Sequence, residues 1–212
     1  MQTRSFSSID LALGEIDKAI KTLSTPARSS RAVPGVPDGQ ILPPAQRAES
    51  GRLMRVNHAG EVAAQALYQG QAFTSRDPTI AAAMRHAAAE EVDHLAWCET
   101  RLRELRCRPS LLNPLWYAGS FAIGALAGAL GRRGGLGFVA ETERQVESHL
   151  RGHVERLGDS DGRSRAILEQ MTRDETQHGA QATSLGGKEL PYPVAAAMRL
   201  ASRFMTHGSY WL

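Results

Sequence analysis

Two Glu-x-x-His motifs place the strongest constraint on how this chain folds. They occupy residues 91–94 (EVDH) and 175–178 (ETQH), and both lie in long segments with helical patterning. Because positions i and i+3 share one face of an α-helix, the carboxylate and the imidazole of each motif can reach the same metal ion. The motifs therefore predict a helical protein in which two such faces meet.

A further glutamate precedes each motif at a similar distance. Glu61 lies 30 residues before Glu91, and Glu143 lies 32 residues before Glu175. The two halves form a loose internal repeat in which each half is a pair of helices. Packed together, these pairs predict a four-helix bundle with the ligand set of the ferritin-like di-iron and di-manganese proteins.

The charge of this set indicates why it needs metal. Four buried carboxylates carry four negative charges, and unpaired buried charges are strongly destabilising. Two divalent ions balance them, and oxygen and imidazole ligands with open positions favour iron or manganese over a closed zinc site. Glu91 and Glu175, each paired with its own histidine, are expected to bridge the ions, and the other two glutamates to be terminal ligands. The predicted metal ligands are Glu61, Glu91, His94, Glu143, Glu175 and His178.

The register of the third ligand helix has an alternative. Glu143 is preferred because Glu141 breaks the near-repeat, while Glu147 lies one turn further on and is the fallback. His149 and His153 lie off the face of Glu143, so neither is expected to be a ligand.

Three further polar residues lie close to the predicted ligands. Asp93 and Asp174 could each orient a ligand histidine through a hydrogen bond, with plain solvation as the alternative. Tyr68 shares the face of Glu61, where it either caps the site or packs in the core.

The rest of the chain is also helical in pattern, and no run alternates as a strand, so the fold class is all-α. Residues 1–48 are expected to form an N-terminal helix and a Pro-rich linker, and residues 49–212 a ferritin-like domain with an apolar crossover and additional terminal helices. The predicted helices cover about 8–23, 50–74, 78–106, 138–157, 162–185 and 193–205.

Composition excludes several other classes of protein. The net charge is only +3 and aromatic residues make up 6%, which argues against a nucleic-acid partner. Two cysteines do not form a secreted disulfide framework. Charged residues interrupt the N-terminus where a signal peptide needs an apolar stretch, so a cytoplasmic location is expected.

Four segments closely resemble the demethoxyubiquinone hydroxylase family of ubiquinone biosynthesis. They are residues 53–72, which include RVNHAGE, and residues 86–102, 141–150 and 173–182, which include both Glu-x-x-His motifs. The similarity runs from about residue 50 to the C-terminus, and the first 45 residues resemble bacterial members with an N-terminal extension. The family ligands fall on the same six residues that the spacing indicates, including Glu143 rather than Glu147.

This resemblance implies a specific reaction. It is the O₂-dependent hydroxylation, at two iron ions, of the ring of 2-polyprenyl-3-methyl-6-methoxy-1,4-benzoquinol, with the electron donor left open. The implied partners are this polyprenyl benzoquinol and the membrane surface. A homo-oligomer and contacts with other quinone-biosynthesis proteins, such as a lipid-binding accessory protein, are compatible with it.

A stretch without charged residues, 110–131, separates the two halves. It is long enough to span a membrane, but a single span would place the two halves of the metal site on opposite sides. The segment is therefore expected to lie in the membrane interface or to re-enter on a bent or broken path at Pro114 and its glycines. A buried core helix is the alternative. The expected location is the cytoplasmic face of the cell membrane, with peripheral attachment.

Two other functions remain as alternatives at this point. One is a soluble ferritin-like protein that uses the same ligands for iron storage, peroxide reduction or tRNA-nucleoside hydroxylation. The other is a metal-free helical scaffold that binds a partner through residues 110–131.

Overall fold

A computed structural model describes residues 7–37 and 42–212 of the chain. Within these ranges the regular structure is entirely helical, as predicted. Residues 1–6 and 38–41, which belong to the predicted N-terminal region 1–48, lie outside the described residues. The helices are α1 (Ser8–Ser24), α2 (Pro44–Thr74), α3 (Pro78–Glu104), α4 (Asn113–Ala129), α5 (Gly131–Arg156), α6 (Gly162–Ser184) and α7 (Tyr192–Trp211).

Two helical hairpins, α2–α3 and α5–α6, form the predicted bundle. The second helix of each hairpin begins at an aspartate: the Asp77 side chain accepts hydrogen bonds from the first turn of α3, and Asp161 does so for α6. Asp161 also accepts a 2.7 Å hydrogen bond from the buried guanidinium of Arg101, which joins the end of α3 to the start of α6. At this end of the bundle lies a core that includes Leu53, Trp97, Leu150, Leu168 and Met171.

Helix α4 contains most of the uncharged stretch and runs without a break, so the predicted bent or broken path is wrong. Pro114 lies in its first turn, where proline needs no hydrogen-bond donor. The helix packs closely on α2 through glycines: a Cβ built on Gly124 would lie 2.1 Å from the Leu67 carbonyl oxygen. Its opposite face exposes Leu115 and Leu126, so α4 is not a fully buried core helix either.

None of the helices in the described ranges combines the length and the apolar character that a membrane crossing requires.

Three helices are longer than the sequence pattern predicts. Helix α2 begins at Pro44 rather than near Ser50, and α5 begins at Gly131 rather than near Phe138. The glycines of α5 are poor helix formers, but Gly137 allows its backbone to touch the Lys188 carbonyl oxygen, which lies 2.0 Å from the position of a Cβ. Tertiary packing thus extends the helix beyond its local propensity. Helix α7 likewise continues to Trp211.

The segment after α1 has no regular structure over residues 25–37, as predicted for a linker, but it is anchored to the bundle. The backbone N–H of Ser30 donates to Asp93 over 2.6 Å, and Trp97 Nε1 donates to the Ser29 hydroxyl over 3.1 Å. Arg31 forms ion pairs with Asp93 on α3 and Asp174 on α6, at 2.7 and 2.9 Å. These contacts hold residues 29–31 across the two helices that carry the Glu-x-x-His motifs.

Candidate metal centre

The six predicted ligands come together inside the bundle, one glutamate from each of α2 and α5 and a Glu–His pair from each of α3 and α6. All six side chains are buried. They form two groups, within each of which one ligand atom per residue lies within 4.8 Å of the others. The first group is Glu61, Glu91, His94 and Glu175, and the second is Glu143, Glu175 and His178.

Both histidines direct Nδ1 at the carboxylates. His94 Nδ1 lies 3.0 Å from Glu91, 3.2 Å from Glu175 and 3.5 Å from Glu61. His178 Nδ1 lies 3.3 Å from Glu175 and 3.4 Å from Glu91. Glu91 and Glu175 are therefore the carboxylates that approach both rings.

The other ring nitrogen of each histidine faces a carboxylate on the opposite motif helix. His94 Nε2 donates to Asp174 over 2.9 Å, and His178 Nε2 donates to Glu90 over 3.2 Å. Such a partner fixes the ring orientation and keeps Nδ1 as the free ligand atom. Each partner immediately precedes the glutamate of its own motif, in the sequences Glu90-Glu91 and Asp174-Glu175.

These contacts test the sequence predictions for Asp93 and Asp174. The prediction that Asp174 forms a hydrogen bond with one of these histidines is confirmed by its contact with His94. The same prediction for Asp93 is wrong, because Asp93 turns outward to Ser30 and Arg31. Glu90 was missed, although the acidic residue in front of each motif was a visible signal.

The alternative Glu147 lies outside the cluster and pairs with Arg151 at 2.9 Å. Glu143 is buried instead, and the Tyr68 hydroxyl donates a hydrogen bond to it. Tyr68 therefore contacts the cluster as well as packing in the core. His149 and His153 line a separate groove, and His153 Nδ1 lies 2.8 Å from the Asn57 side-chain oxygen.

The four glutamates differ in the direction in which their pKa values are shifted. Burial raises the pKa of Glu61 well above its ordinary value, and burial with the charge of Glu175 does the same for Glu143. For Glu91, burial opposes ionisation, but the charge of His94 and hydrogen bonds from both histidines hold its pKa below the ordinary range. Glu175 has a lowered pKa for a similar reason, since hydrogen bonds from both histidines outweigh burial.

The pKa values of both histidines are raised. Burial alone would lower the pKa of His178, but hydrogen bonds to Glu175 and Glu91 and their charges raise it to about 11. Burial likewise opposes the charged form of His94, yet the charge of Glu91 and the hydrogen bond to Asp174 raise its pKa well above the ordinary value. Protons thus balance the charge in the metal-free cluster: two charged histidines offset two ionised glutamates.

The donor set fits two metal ions. Glu61 Oε2 and Glu91 Oε1 are buried and lie 3.5 and 3.4 Å from a histidine Nδ1, and a metal ion bound between these atoms would take the place of those contacts. Carboxylate and imidazole ligands match iron or manganese. The residues that would hold metal are the six described above.

Several cavities border the cluster, and two of them are large enough to admit a small molecule. A groove of about 790 Å³ on α5 and α6 is lined by Glu175 and by small residues that include Gly137, Ala140 and Gly179. A second opening of about 340 Å³, between α3 and α6, is polar and includes Glu90, His178 and Arg31 among its lining residues. The groove on α5 and α6 therefore offers the larger volume beside the ligands.

The chain is similar to proteins of ubiquinone biosynthesis. The family model described as "Ubiquinone biosynthesis protein COQ7" matches residues 48–209. A protein of Dechloromonas aromatica named 3-demethoxyubiquinol 3-hydroxylase is 55% identical over 205 residues, which cover 96% of this chain and 99% of that protein. Proteins of the same name from Cupriavidus necator (56% identical, covering 95% of this chain and 99% of the relative) and Bordetella pertussis (53%, covering 99% and 95%) are also similar.

Proposed function

Since this chain belongs to the COQ7 family of ubiquinone biosynthesis proteins, we propose that it hydroxylates the ring of a 3-demethoxyubiquinol at two iron ions held by the buried cluster. The observation that carries the proposal is the cluster itself. Four buried carboxylates and two histidines converge from four helices, and near full-length relatives are named for this hydroxylation. The substrate would be the polyprenyl 6-methoxybenzoquinol, and O₂ the co-substrate.

Each ligand has a distinct position in this proposal. Glu91 and Glu175 approach both histidines, as bridging carboxylates would, while Glu61 and Glu143 each lie in one of the two groups. Iron bound here would supply O₂ activation and redox chemistry, with the electrons delivered by a donor of unassigned identity. The chain holds both imidazoles in one orientation and buries all six side chains.

The ring of the substrate would approach through the groove on α5 and α6. This groove is lined by Glu175, and its volume of about 790 Å³ accommodates a substituted ring together with part of its tail. Gly179 lies in its wall, one turn after Glu175, and a Cβ there would already press on Glu143 at 3.3 Å. A large side chain at this position should therefore obstruct the approach of the ring.

Peripheral attachment to the cytoplasmic face of the cell membrane is the second part of the proposal. Three helices leave rows of apolar side chains exposed, and a polyprenyl substrate resides in lipid. Helix α4, which contains most of the uncharged stretch, contributes one row. The rows are Ile9, Leu13, Ile16 and Ile20 on α1, Leu115 and Leu126 on α4 with Leu130 just after it, and Leu200, Phe204 and Trp211 on α7.

The two alternative functions are not favoured. The relatives are named for hydroxylation of a ubiquinol precursor rather than for iron storage, peroxide reduction or tRNA modification. A metal-free scaffold has no need of four carboxylates and two histidines that converge in its interior.

Counting bound iron tests the metal part of the proposal. After anaerobic reconstitution and removal of free metal, the chain should retain about two Fe(II) ions, because two groups of ligands are present. Glu91→Gln should retain less than one, whereas the matched surface variant Glu147→Gln should retain two. Fewer than one iron in the unmodified chain would leave the metal-free scaffold as the better explanation.

A further inference from the structure

We propose that the groove between α5 and α7 binds the phosphate group of an anionic membrane lipid. This inference rests on the proposed attachment to the membrane surface and assigns it a specific headgroup site. The groove encloses about 410 Å³ and lies apart from the cluster, with no predicted metal ligand in its wall. Its lining is rich in cations, with two arginines from each helix: Arg144 and Arg156 from α5, and Arg199 and Arg203 from α7.

The positive charge of the groove is only half compensated. Glu141 accepts two hydrogen bonds from Arg144 and lies 3.7 Å from Arg199 Nη1. Arg156 pairs with Glu49. Within the described part of the chain, Arg203 forms no ion pair. Four guanidinium groups thus face two carboxylates, which leaves an excess of two positive charges for an anion.

The polar groups between the arginines are suited to phosphate oxygens. The hydroxyls of Ser148 and Ser202 line the groove from the two facing helices. His149 also lines it, and its Nε2 is buried without a hydrogen-bond partner. Phosphate oxygens accept hydrogen bonds from guanidinium, hydroxyl and imidazole N–H groups, and arginine binds them through its planar fork.

The surroundings of the groove favour a lipid over a soluble phosphate compound. Leu200 and Phe204 directly follow Arg199 and Arg203 in the sequence, so on helix α7 they form a row about 100° around from the two arginines. Phe204 is 70% exposed and Leu200 is 56% exposed. An apolar row beside a basic row is the arrangement of a helix that lies in the membrane interface, with arginines at the level of the phosphates.

Vesicle binding by the full-length chain tests the assignment. Partitioning is measured on phosphatidylcholine vesicles and on vesicles that also contain phosphatidylglycerol. Each basic residue near an anionic surface contributes about five-fold in binding, so Arg199→Gln/Arg203→Gln should weaken binding to the anionic vesicles about 25-fold. The matched control, Arg85→Gln/Arg173→Gln, removes the same charge from exposed positions on α3 and α6 and should bind within about two-fold of the unmodified chain.

Three results would overturn the proposal. The first is a groove variant that binds anionic vesicles as tightly as the control variant. The second is saturable binding of inorganic phosphate to the unmodified chain that the groove variant loses while its vesicle binding stays unchanged, since this would assign the groove to a soluble phosphate compound. The third is absence of vesicle binding by the unmodified chain. Iron content and hydroxylation of a short-tailed, water-soluble quinol are measured on the same samples, so loss of the proposed function is distinguished from loss of the headgroup site.

Discussion

Loading the cluster with two divalent ions should release about four protons per chain at pH 7. In the metal-free protein, four of the six ligands have a raised pKa: Glu61, Glu143, His94 and His178. We expect each of them to hold a proton at pH 7, which a metal ion must displace before the ligand atom can bind. The remaining two glutamates have lowered pKa values and are already ionised, so they contribute no further protons.

Titration calorimetry measures this number directly. Anaerobic Mn(II) or Fe(II) is titrated into the metal-free chain at one pH in two buffers that differ in ionisation enthalpy. The observed enthalpy changes between buffers in proportion to the protons released. Glu143→Gln removes one of the four protonated groups and should lower the number by about one, while Glu147→Gln, on the surface, should leave it unchanged.

A result near zero protons would refute the reasoning. It would mean that the ligands are ionised carboxylates and neutral histidines before metal binds, or that metal binds elsewhere. Equal proton release by the unmodified chain and Glu143→Gln would show that Glu143 holds no proton in the metal-free cluster and would contradict its assignment here.

Three further outcomes are expected. The pKa of His178 is raised from 6.5 to about 11 in the folded metal-free chain, so the stabilisation from this group is fully present below about pH 6.5 and declines as the pH rises. The metal-free chain should therefore unfold at a lower temperature at pH 9 than at pH 7. The difference between the two pH values should be smaller after metal loading. Arg31→Gln removes the ion pair with Asp174 and should lower the free energy of unfolding by about 1 kcal/mol and weaken metal binding, with partial recovery in Arg31→Lys, as followed by urea unfolding and metal titration. Gly124→Ala forces a Cβ to within 2.1 Å of the α2 backbone and should cost about 2 kcal/mol or more, whereas Gly119→Ala, with nothing within 4 Å, should stabilise helix α4 slightly; equal melting temperatures would contradict the close packing.

The ligands could be predicted from the sequence because their signal is local. A Glu and a His three residues apart share a helix face in any α-helix, and the near-repeat supplied the remaining two glutamates. The spacing between the two halves favoured Glu143 but kept Glu147 as the fallback, and the family resemblance selected Glu143. The structure brings these six residues together, so the spacing of residues along the chain and the family resemblance were enough to predict the cluster.

The polar partners of the histidines depend on how α3 and α6 cross. Whether Asp93 or Glu90 reaches a ring on the opposite helix is set by the angle and register between the helices, and helix periodicity does not specify these. The contacts of Arg31 were unpredictable for a related reason. They join residues separated by more than 60 positions, through a segment with no regular structure.

Helix α4 illustrates a third limit. The absence of charge identified residues 110–131 as unusual, but charge and glycine content alone suggested a broken path. The glycines instead allow two continuous helices to approach backbone to backbone, as Gly70 and Gly124 do at the contact of α2 with α4. A glycine that permits close packing and a glycine that breaks a helix look the same in one sequence.

The most direct test of the account uses oxygen labelling. The chain loaded anaerobically with Fe(II) is given a reductant, a short-tailed 3-demethoxyubiquinol and ¹⁸O₂, and the quinone product is analysed by mass spectrometry. The account predicts a product that carries one ¹⁸O atom on its ring, formed by the unmodified chain and by a variant of an exposed residue outside the groove, Glu155→Gln, but not by Glu91→Gln. A hydroxylated product without the label, or equal product formation by Glu91→Gln, would contradict hydroxylation by O₂ at the buried cluster.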